Sequence, residues 1–243
     1  MIKIYKVFKE ITAWYFPKKE DKVFCIGMHK TGTTSLAKAL TILGYRVRDY
    51  PSVRLLGDRF LWLRGTQIND FNCFTDATII PLYKRLDKKF PNSKFIITIR
   101  PINSWLESCS KWPNFIRPNV TGKRKIYRER VLGAKNYDEV IFKEKYQEHF
   151  NDVTSYFKNR QKDLLLLDLY QDNKWEAICE FLKKPKPQED YPHSNAGTNK
   201  RLINKIVTEL GLDDKTKDLA HNKFLNDKKL NEDKIKKFLK DLS

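Results

Sequence analysis

The sequence predicts an α/β protein whose mainly parallel central sheet is sandwiched between two layers of helices. Three apolar runs have the length and composition of buried strands, and a segment with helical spacing follows each of them. These runs are residues 22–27, 94–100 and 163–168. Because strands that alternate with helices form parallel sheets covered on both faces, this order predicts a three-layer sandwich. At 243 residues, of which 40% are hydrophobic, the chain is large enough to bury one sizeable core.

The elements between the first two runs follow from glycine positions and apolar spacing. Leu36 and Leu40 recur at helical spacing after the first run, and Gly44 stands where a helix is expected to end. Residues 45–74 are weakly patterned and predict short strands and loops. Residues 81–90 predict a helix that leads to the second strand.

The second half of the chain continues the alternation. Pro101 suits the first turn of a helix after the second run. We then expect a loop or lid-like insertion at residues 111–130, a helix at 137–160 and the third strand at 163–168. A helix at 175–182, a loop at 183–199 and lysine-rich helices at 200–243 follow. The predicted domain organisation is a basic N-terminal segment at residues 1–21, an α/β domain at 22–200 and a helical tail at 201–243 packed on the same domain.

The N-terminal segment is basic and amphipathic, and it lacks the continuous apolar stretch of a signal peptide. We expect it to pack as an extra helix or to fray, with contact to a membrane surface as the alternative. No run approaches the roughly 18 apolar residues of a transmembrane segment, so we expect a cytoplasmic protein.

The formal net charge of +18 indicates an anionic partner. Nucleic acid, a membrane surface, a phosphorylated cofactor and an acidic substrate all qualify, although scattered lysines also solvate helix faces. The four cysteines form no C-x-x-C pair and have no histidine at zinc-binding spacing. They are therefore expected to be reduced and buried.

The stretch GMHKTGTTSL at residues 27–36 is similar to a phosphate-binding loop with its lysine displaced. The usual pattern G-x-x-x-x-G-K-[ST] places a lysine where Thr33 stands, and Lys30 lies three residues earlier. Gly32 gives the backbone freedom, and the hydroxyls of Thr33, Thr34 and Ser35 can bind an anion at a helix N-terminus. Without a lysine at position 33, the loop lacks the group that contacts the β- and γ-phosphates of a triphosphate. The alternative is a plain glycine turn before a helix.

A second candidate phosphate site lies after the second strand. Arg100 stands at the carboxyl end of that strand, where open α/β sheets bind ligands. Ser108 follows eight residues later, and Ser104 lies between them on the same helix face. An arginine with a helical serine can bind a separate phosphate. A helix start with a capping ion pair is the alternative.

These two motifs resemble the sulfotransferases that use 3′-phosphoadenosine 5′-phosphosulfate (PAPS). The first loop of that family reads roughly K-[ST]-G-[ST]-[ST] and holds the 5′-phosphosulfate, which matches Lys30-Thr31-Gly32-Thr33-Thr34. Its second motif, an arginine and a serine eight residues apart, binds the 3′-phosphate and matches Arg100 and Ser108. The likeness in element order extends over residues 23–199.

The resemblance implies a P-loop nucleoside-triphosphate-hydrolase-like fold and in-line transfer of a sulfuryl group from PAPS to an acceptor hydroxyl or amine. PAP is then the product, no metal is needed, and the acceptor is a small molecule or glycan rather than a specific nucleic acid. Lys30 would stabilise the charge that builds as the bond breaks. His29, Thr31 and Ser35 would complete the nucleotide site, and Lys200 would approach the 3′-phosphate, although a solvated helix start explains Lys200 equally well.

The family takes the acceptor proton with a histidine or glutamate located between the two motifs. This segment has no glutamate and no histidine beyond His29. Asp76, after a predicted strand, is therefore the candidate base, with His29 as the second choice. A helix N-cap is the alternative role for Asp76. Ala77 stands where glutamate-using members commonly have a lysine.

Three other functions compete with this one. A P-loop kinase or NTPase would use Asp168 for its metal, but it also needs a lysine at Thr33. A nucleic-acid-binding module would fit the charge, although no recognisable signature is present. A sulfotransferase-like protein could bind the nucleotide without transferring. The basic character of residues 111–130 favours an anionic acceptor.

Overall fold

The computed structural model describes residues 2–57, 59–116, 120–168, 171–192, 202–203, 206–213, 216, 219–220, 223–224 and 231–241. It divides into two compact units, Met1–Glu189 and Asp190–Ser243. The first carries the central sheet and is described first. None of the described helices is both long and apolar enough to cross a bilayer.

The central sheet has five strands in the order β2-β5-β1-β6-β7, and every pairing in it is parallel. A separate antiparallel hairpin pairs β3 with β4. The strands are β1 Val23–Cys25, β2 Val47–Asp49, β3 Val53–Leu56, β4 Arg59–Leu63, β5 Cys73–Thr75, β6 Lys94–Ile99 and β7 Leu164–Asp168. The predicted α/β fold with a mainly parallel central sheet is confirmed. The carboxyl ends of all five sheet strands therefore meet at one edge.

Helices connect the parallel strands. They are α1 Ile2–Tyr15, α2 Thr33–Ile42, α3 Gln67–Asp70, α4 Tyr83–Lys89, α5 Ile102–Ser110, α6 Pro113–Ile116, α7 Gly122–Leu132, α8 Glu139–Phe157 and α9 Lys174–Leu182, with 3-10 helices at Ala77–Leu82 and Gln161–Asp163.

The prediction of a loop over residues 111–130 is wrong, because α6 and most of α7 lie there. Tyr127, Val131 and Leu132 are buried along one side of α7, and Gly133 ends it with a φ of 78°. The lysines and arginines around these few apolar residues hide the helical pattern in the sequence.

Aromatic rings fill the core beneath this edge. Phe24 of β1 lies between Phe74 of β5 and Phe95 of β6, with ring centroids 5.7 Å and 5.3 Å away. Phe157 of α8 covers Phe95 at 4.9 Å. Each such buried ring contributes about 1.5–3 kcal/mol, so the strand ends are held on a rigid platform. The four cysteines are free and buried.

The N-terminal segment forms α1 and packs on the first unit through one face. Ala13 and Trp14 are buried in the main core. Glu10 is also buried, and both of its carboxylate oxygens accept hydrogen bonds from Arg54 of β3, at 2.8 and 2.6 Å. The Trp62 indole N–H donates to the same carboxylate at 2.9 Å. An ion pair and two apolar side chains therefore fix which side of α1 faces the protein.

The second unit has a small apolar core of its own, made by Ile203, Ile206, Val207, Ala220, Phe224, Ile235 and Leu239. Its last helix, Glu232–Lys240, begins after Asn231, whose side chain accepts a hydrogen bond from the Lys234 N–H. The helical character predicted for the tail agrees with these described residues. Its packing on the α/β domain stays a prediction.

Candidate active site

The loop after β1 turns sharply because two residues adopt left-handed backbone angles. Gly32 has a φ of 94° and Lys30 a φ of 67°. Glycine takes such angles freely, whereas lysine does so only when its surroundings hold it there. Gly27 is needed for another reason, since a Cβ at this position would lie 1.9 Å from Thr98 Oγ1 of β6. The loop is therefore pressed against the sheet and held in one shape.

Hydrogen bonds within the loop secure this shape. The Thr31 hydroxyl donates to the Met28 carbonyl at 2.6 Å, and its oxygen lies 2.5 Å from Thr98 Oγ1. Both hydrogen bonds of the Thr31 hydroxyl are thus made within the protein, and the hydroxyl faces β6. The predicted contact of Thr31 with the nucleotide stays a prediction.

The N-terminus of α2 follows a glycine and has no side-chain cap within the part of the chain that the structure describes. Gly32 occupies the cap position and supplies no side-chain hydrogen bond to the helix among the described residues. Thr33, Thr34 and Ser35 form the first turn, with Thr34 half-buried and the other two buried. An N-terminus without a side-chain cap presents N–H groups and a partial positive charge, which suits a phosphate group.

The two predicted phosphate motifs are bonded to each other. The Arg100 guanidinium donates to the carbonyl of Lys30 at 3.0 Å. One turn along α5, the Trp105 indole N–H donates to the carbonyl of His29 at 2.7 Å. Tyr146 of α8 bridges the Arg100 backbone, with both of its hydrogen bonds at 2.9 Å. Sequence reasoning placed both motifs at the sheet edge but did not anticipate these direct bonds.

Ser104, rather than Ser108, is the serine in contact with the arginine. The Ser104 hydroxyl accepts hydrogen bonds from Nε and one terminal nitrogen of Arg100, at 3.0 and 2.9 Å. Ser108 lies one turn further along α5 and is half-buried. Its predicted role at a 3′-phosphate stays a prediction.

The Lys30 side chain projects from the loop toward Trp112. Its ammonium lies 5.2 Å from the centre of the Trp112 ring, which is within the range of a cation–π contact. The lysine is half-buried. The ammonium thus belongs to a residue three positions before the start of α2 and remains partly accessible to a ligand.

His29 is enclosed by aromatic rings. Those of Trp112, Phe115 and Tyr127 lie 5.6, 5.9 and 5.4 Å from its own. Burial, with smaller contributions from the nearby Arg128 and Lys30 charges, lowers the pKa of His29 to about 4. The imidazole is therefore neutral at physiological pH, and it is a weak base.

Asp76 lies opposite His29, at the end of β5. Its Oδ2 is 3.7 Å from His29 Nδ1, beyond hydrogen-bond distance, and the neutral imidazole makes no ion pair with it. Its φ of 85° and ψ of 151° are angles that essentially only glycine adopts, which corresponds to a strain of about 1–3 kcal/mol. Its side chain accepts a hydrogen bond from the Thr78 N–H at 3.2 Å. Asp76 thus caps the following 3-10 helix, as the alternative interpretation predicted, and its own backbone is strained.

The ionisation of Asp76 is shifted toward neutral pH. Burial is the largest cause that raises the pKa of its carboxyl to about 7, and the Asp49 charge adds to it. The backbone N–H groups of Thr78 and Ala77 act in the opposite direction. A carboxyl with this pKa can exchange a proton near physiological pH.

Tyr127 of α7 was missed by sequence reasoning, because it lies in the segment predicted to be a loop. Its hydroxyl is buried and bonds to no other described residue. Burial, together with the charges of Asp76 and Tyr50, raises the pKa of this phenol. Next to it, the Arg128 guanidinium donates to the carbonyls of Lys135, at 2.9 Å, and Asn114. Arg128 thus secures α7 over His29.

Lys200, predicted to approach the 3′-phosphate, is outside the described residues. Within the part of the chain that the structure describes, no group of three or more histidine, cysteine, aspartate or glutamate side chains could hold a metal ion.

Comparison with known proteins decides the family. Residues 22–199, which include both motifs and Asp76, match the family model described as a sulfotransferase domain. The chain belongs to the sulfotransferase family. This sulfotransferase is also 23% identical over 208 residues to the "Ava biosynthesis cluster protein M" of Aspergillus versicolor, a match that covers 71% of this chain and 80% of the relative. The predicted family membership is confirmed.

Proposed function

We propose that this sulfotransferase moves a sulfuryl group from PAPS to a hydroxyl or amine acceptor. The observation that carries the proposal is the pair of bonds from Arg100 and Trp105 to the loop carbonyls of Lys30 and His29. They hold the Arg100 guanidinium and the loop that carries Lys30 and leads into α2 together at one edge of the sheet. PAPS carries anionic groups on both its 3′ and 5′ sides, and this arrangement offers a cationic site for each.

The residues present fit PAPS better than a nucleoside triphosphate. The N-terminus of α2, with Thr33 and Thr34, would hold the 5′-phosphate, and Arg100 would hold the 3′-phosphate. A triphosphate needs a lysine directly after Gly32 to contact its β- and γ-phosphates, and Thr33 stands there. Lys30 instead approaches from the crest of the loop, beside Trp112.

Transfer would rely on positioning and on stabilisation of charge. PAPS supplies a sulfuryl group whose bond to the 5′-phosphate oxygen breaks as the acceptor atom bonds to sulfur. The Lys30 ammonium would neutralise the negative charge left on that oxygen. The tight loop, held by Thr31 and Arg100, would keep the groups in line and restrict their motion.

Asp76 would accept the proton from the acceptor. Its carboxyl lies at the same sheet edge as the loop, and a pKa of about 7 makes it both basic enough and largely ionised at slightly alkaline pH. The strained backbone fits this role, because strain is retained where function needs it. His29, with its pKa lowered to about 4, is the weaker candidate.

An arginine-lined cavity supports an anionic acceptor. Arg59, Arg85 and Arg130 line a cavity of about 380 Å³ together with Phe60 and Pro81, and no acidic residue is among these lining side chains. Guanidinium groups bind carboxylates, sulfates and phosphates through paired hydrogen bonds. We therefore propose an acidic glycan or another anionic small molecule as acceptor.

The cavity is linked to the candidate active site through aromatic contacts. The Phe60 ring in its wall lies 6.4 Å from Tyr127, whose ring in turn lies 5.4 Å from His29. Two ring contacts thus separate Phe60, in the wall of the cavity, from His29.

Calorimetry with the product PAP tests the donor assignment. We expect PAP to bind more tightly than ATP with magnesium, because the two cationic sites match its two phosphates. Arg100→Ala should weaken PAP binding by about tenfold or more, since a charge-assisted hydrogen bond contributes about 1.5–3 kcal/mol. Arg124→Ala, which removes an exposed arginine of α7, is the matched control. Equal or tighter binding of ATP with magnesium would contradict the proposal.

The role of Asp76 needs a separate experiment. Asp76→Asn keeps the shape of the side chain but removes its basicity, so turnover should be lost while PAP affinity stays within about twofold. Turnover is measured as PAP released from PAPS in the presence of anionic acceptors. Wild-type turnover in this variant would exclude Asp76 and make His29 the next residue to test.

A further inference from the structure

Helix α1 exposes a large apolar face to solvent. Phe16, just after the helix, is 79% exposed, Phe8 is 65% exposed, and Tyr5 and Tyr15 are each 60% exposed. With Val7 and Ile11, they make six of the fourteen exposed large hydrophobic side chains among the described residues. We call these six residues the apolar face of α1. Contiguous exposed apolar surface of this kind marks an interaction site.

The apolar face of α1 is continuous because of helical periodicity. At 100° per residue, its members cover about half of the helix circumference. The opposite half carries Glu10, Ala13 and Trp14, which are buried against the protein. Since these residues anchor the helix, the exposed aromatic rings cannot turn inward without breaking the Glu10–Arg54 pair.

Positive charge lies beside this face at Lys9 and beyond its end at Lys18 and Lys19. Five lysines and a single acidic residue lie in the first 19 residues of the chain. That acid is Glu10, which is buried and paired with Arg54. Lys9 lies 4.8 Å from the Tyr5 ring centre, and Lys18 and Lys19 are exposed beyond Phe16. Glu20 and Asp21 follow these lysines, and Glu20 is paired with Lys22 and Arg46, so the helix and the two residues after Pro17 carry an excess of positive charge.

We propose that the apolar face of α1 binds the surface of an anionic lipid membrane. Its 14 residues are about 21 Å long, shorter than the roughly 30 Å hydrocarbon core of a bilayer, so the helix would lie in the plane of the interface. Aromatic and aliphatic side chains enter the headgroup boundary, and lysines bind anionic headgroups. This proposal does not depend on the identity of the sulfuryl donor.

Charge decides between a membrane and a second copy of the chain. Pairing two α1 faces would bring the same lysines together on two molecules that each carry a net charge of +18. Like charges at an interface oppose such association. An anionic bilayer has the complementary charge, and each lysine near its surface strengthens binding about fivefold.

Vesicle sedimentation tests this proposal with the full chain. We expect the wild type to sediment with vesicles that contain phosphatidylserine and much less with phosphatidylcholine alone, with binding that weakens at high salt. The double variant Phe8→Ser/Phe16→Ser should bind about tenfold more weakly or worse, because two exposed rings are removed. The control Val140→Ser/Leu219→Ser removes two exposed apolar side chains from other parts of the chain and should bind like the wild type.

Several outcomes would overturn the proposal. They are absent vesicle binding, equal binding to both kinds of vesicle, and equal weakening by the control variant. A dimer in sedimentation equilibrium that Phe8→Ser/Phe16→Ser dissociates, without vesicle binding, would assign the face to a second copy. Circular dichroism of the variants checks that the exposed substitutions leave the fold intact.

Discussion

The loop after β1 and the helix α1 are unusual in opposite ways, since one buries polar side chains and the other exposes apolar ones. The loop and the first turn of α2 bury polar side chains, among them His29, Thr31 and Thr33. Helix α1 exposes apolar groups, with Phe8 and Phe16 as the clearest examples. The Thr31 hydroxyl is hydrogen-bonded within the fold and His29 is enclosed by aromatic rings, whereas the Phe8 and Phe16 rings of the apolar face of α1 are 65% and 79% exposed. Each departure indicates the chemistry of a different partner, an anion in the first case and an apolar surface in the second.

Removing the loop lysine should give the largest effect. In Lys30→Ala the loop backbone can keep its Arg100 and Trp105 bonds, but the ammonium that would stabilise the leaving oxygen is gone. We expect kcat/KM to fall about 10²–10³-fold, the usual loss for one stabilising group. The readout is PAP release from PAPS with an anionic acceptor. Lys38→Ala, at an exposed position of α2, should behave like the wild type; an equal loss in both variants would refute the assignment.

The pH profile distinguishes between the two candidate bases, Asp76 and His29. Asp76 must be ionised to accept a proton, and burial raises its pKa to about 7. Below that pH, kcat/KM should fall about tenfold for each pH unit, and the fall should continue to low pH. A limb near pH 4 instead would assign the role to His29, whose pKa is lowered to about 4. Steady-state rates between pH 4 and 9 distinguish the two.

Removing a buried hydrogen bond of the loop should have a smaller effect, which we expect on the free energy of unfolding. Trp105→Phe removes the donor to the His29 carbonyl and leaves that buried oxygen unpaired. The free energy of unfolding should fall by about 1–3 kcal/mol, as measured by urea denaturation. Trp112→Phe is the comparison, because the indole N–H of Trp112 bonds to none of the described residues. A similar loss in both variants would mean that ring packing, and not the bond, holds the loop.

The smallest effect is expected on the exposed face of α1. Phe8→Ser should change the free energy of unfolding by less than about 0.5 kcal/mol, since the ring is solvated in the folded state. Trp14→Ala, on the buried face of the same helix, should lower the free energy of unfolding by about 3–5 kcal/mol. Thermal unfolding of Phe8→Ser and Trp14→Ala measures both stability changes. Comparable losses would show that both faces are packed.

The loop and the sheet could be predicted from the sequence because their signals are local. The glycines, hydroxyls and lysine of residues 27–36 act through the backbone angles and helix end that they form themselves. The three apolar strands predicted the layers in the same way. The pairing of Arg100 with Ser104 follows from their four-residue spacing, although the family pattern drew attention to Ser108.

Other features depend on contacts between distant segments. The bond from Arg100 to the Lys30 carbonyl joins residues 70 positions apart, and no local pattern encodes it. The sequence of α1 has aromatic residues on both sides, so the Glu10–Arg54 pair and the contacts of Ala13 and Trp14 with the core reveal which side packs. Tyr127 lies within a basic segment whose few apolar residues gave no recognisable helix.

The backbone of Asp76 has a consequence for the history of the protein. Glycine would adopt its φ of 85° and ψ of 151° without strain, so a chain that did not need the proton transfer proposed for Asp76 would gain stability by losing the aspartate. Retention of a carboxylate at this position across related chains would then record continuing selection for activity. Relatives with glycine there would be candidates for proteins that bind the nucleotide and no longer transfer.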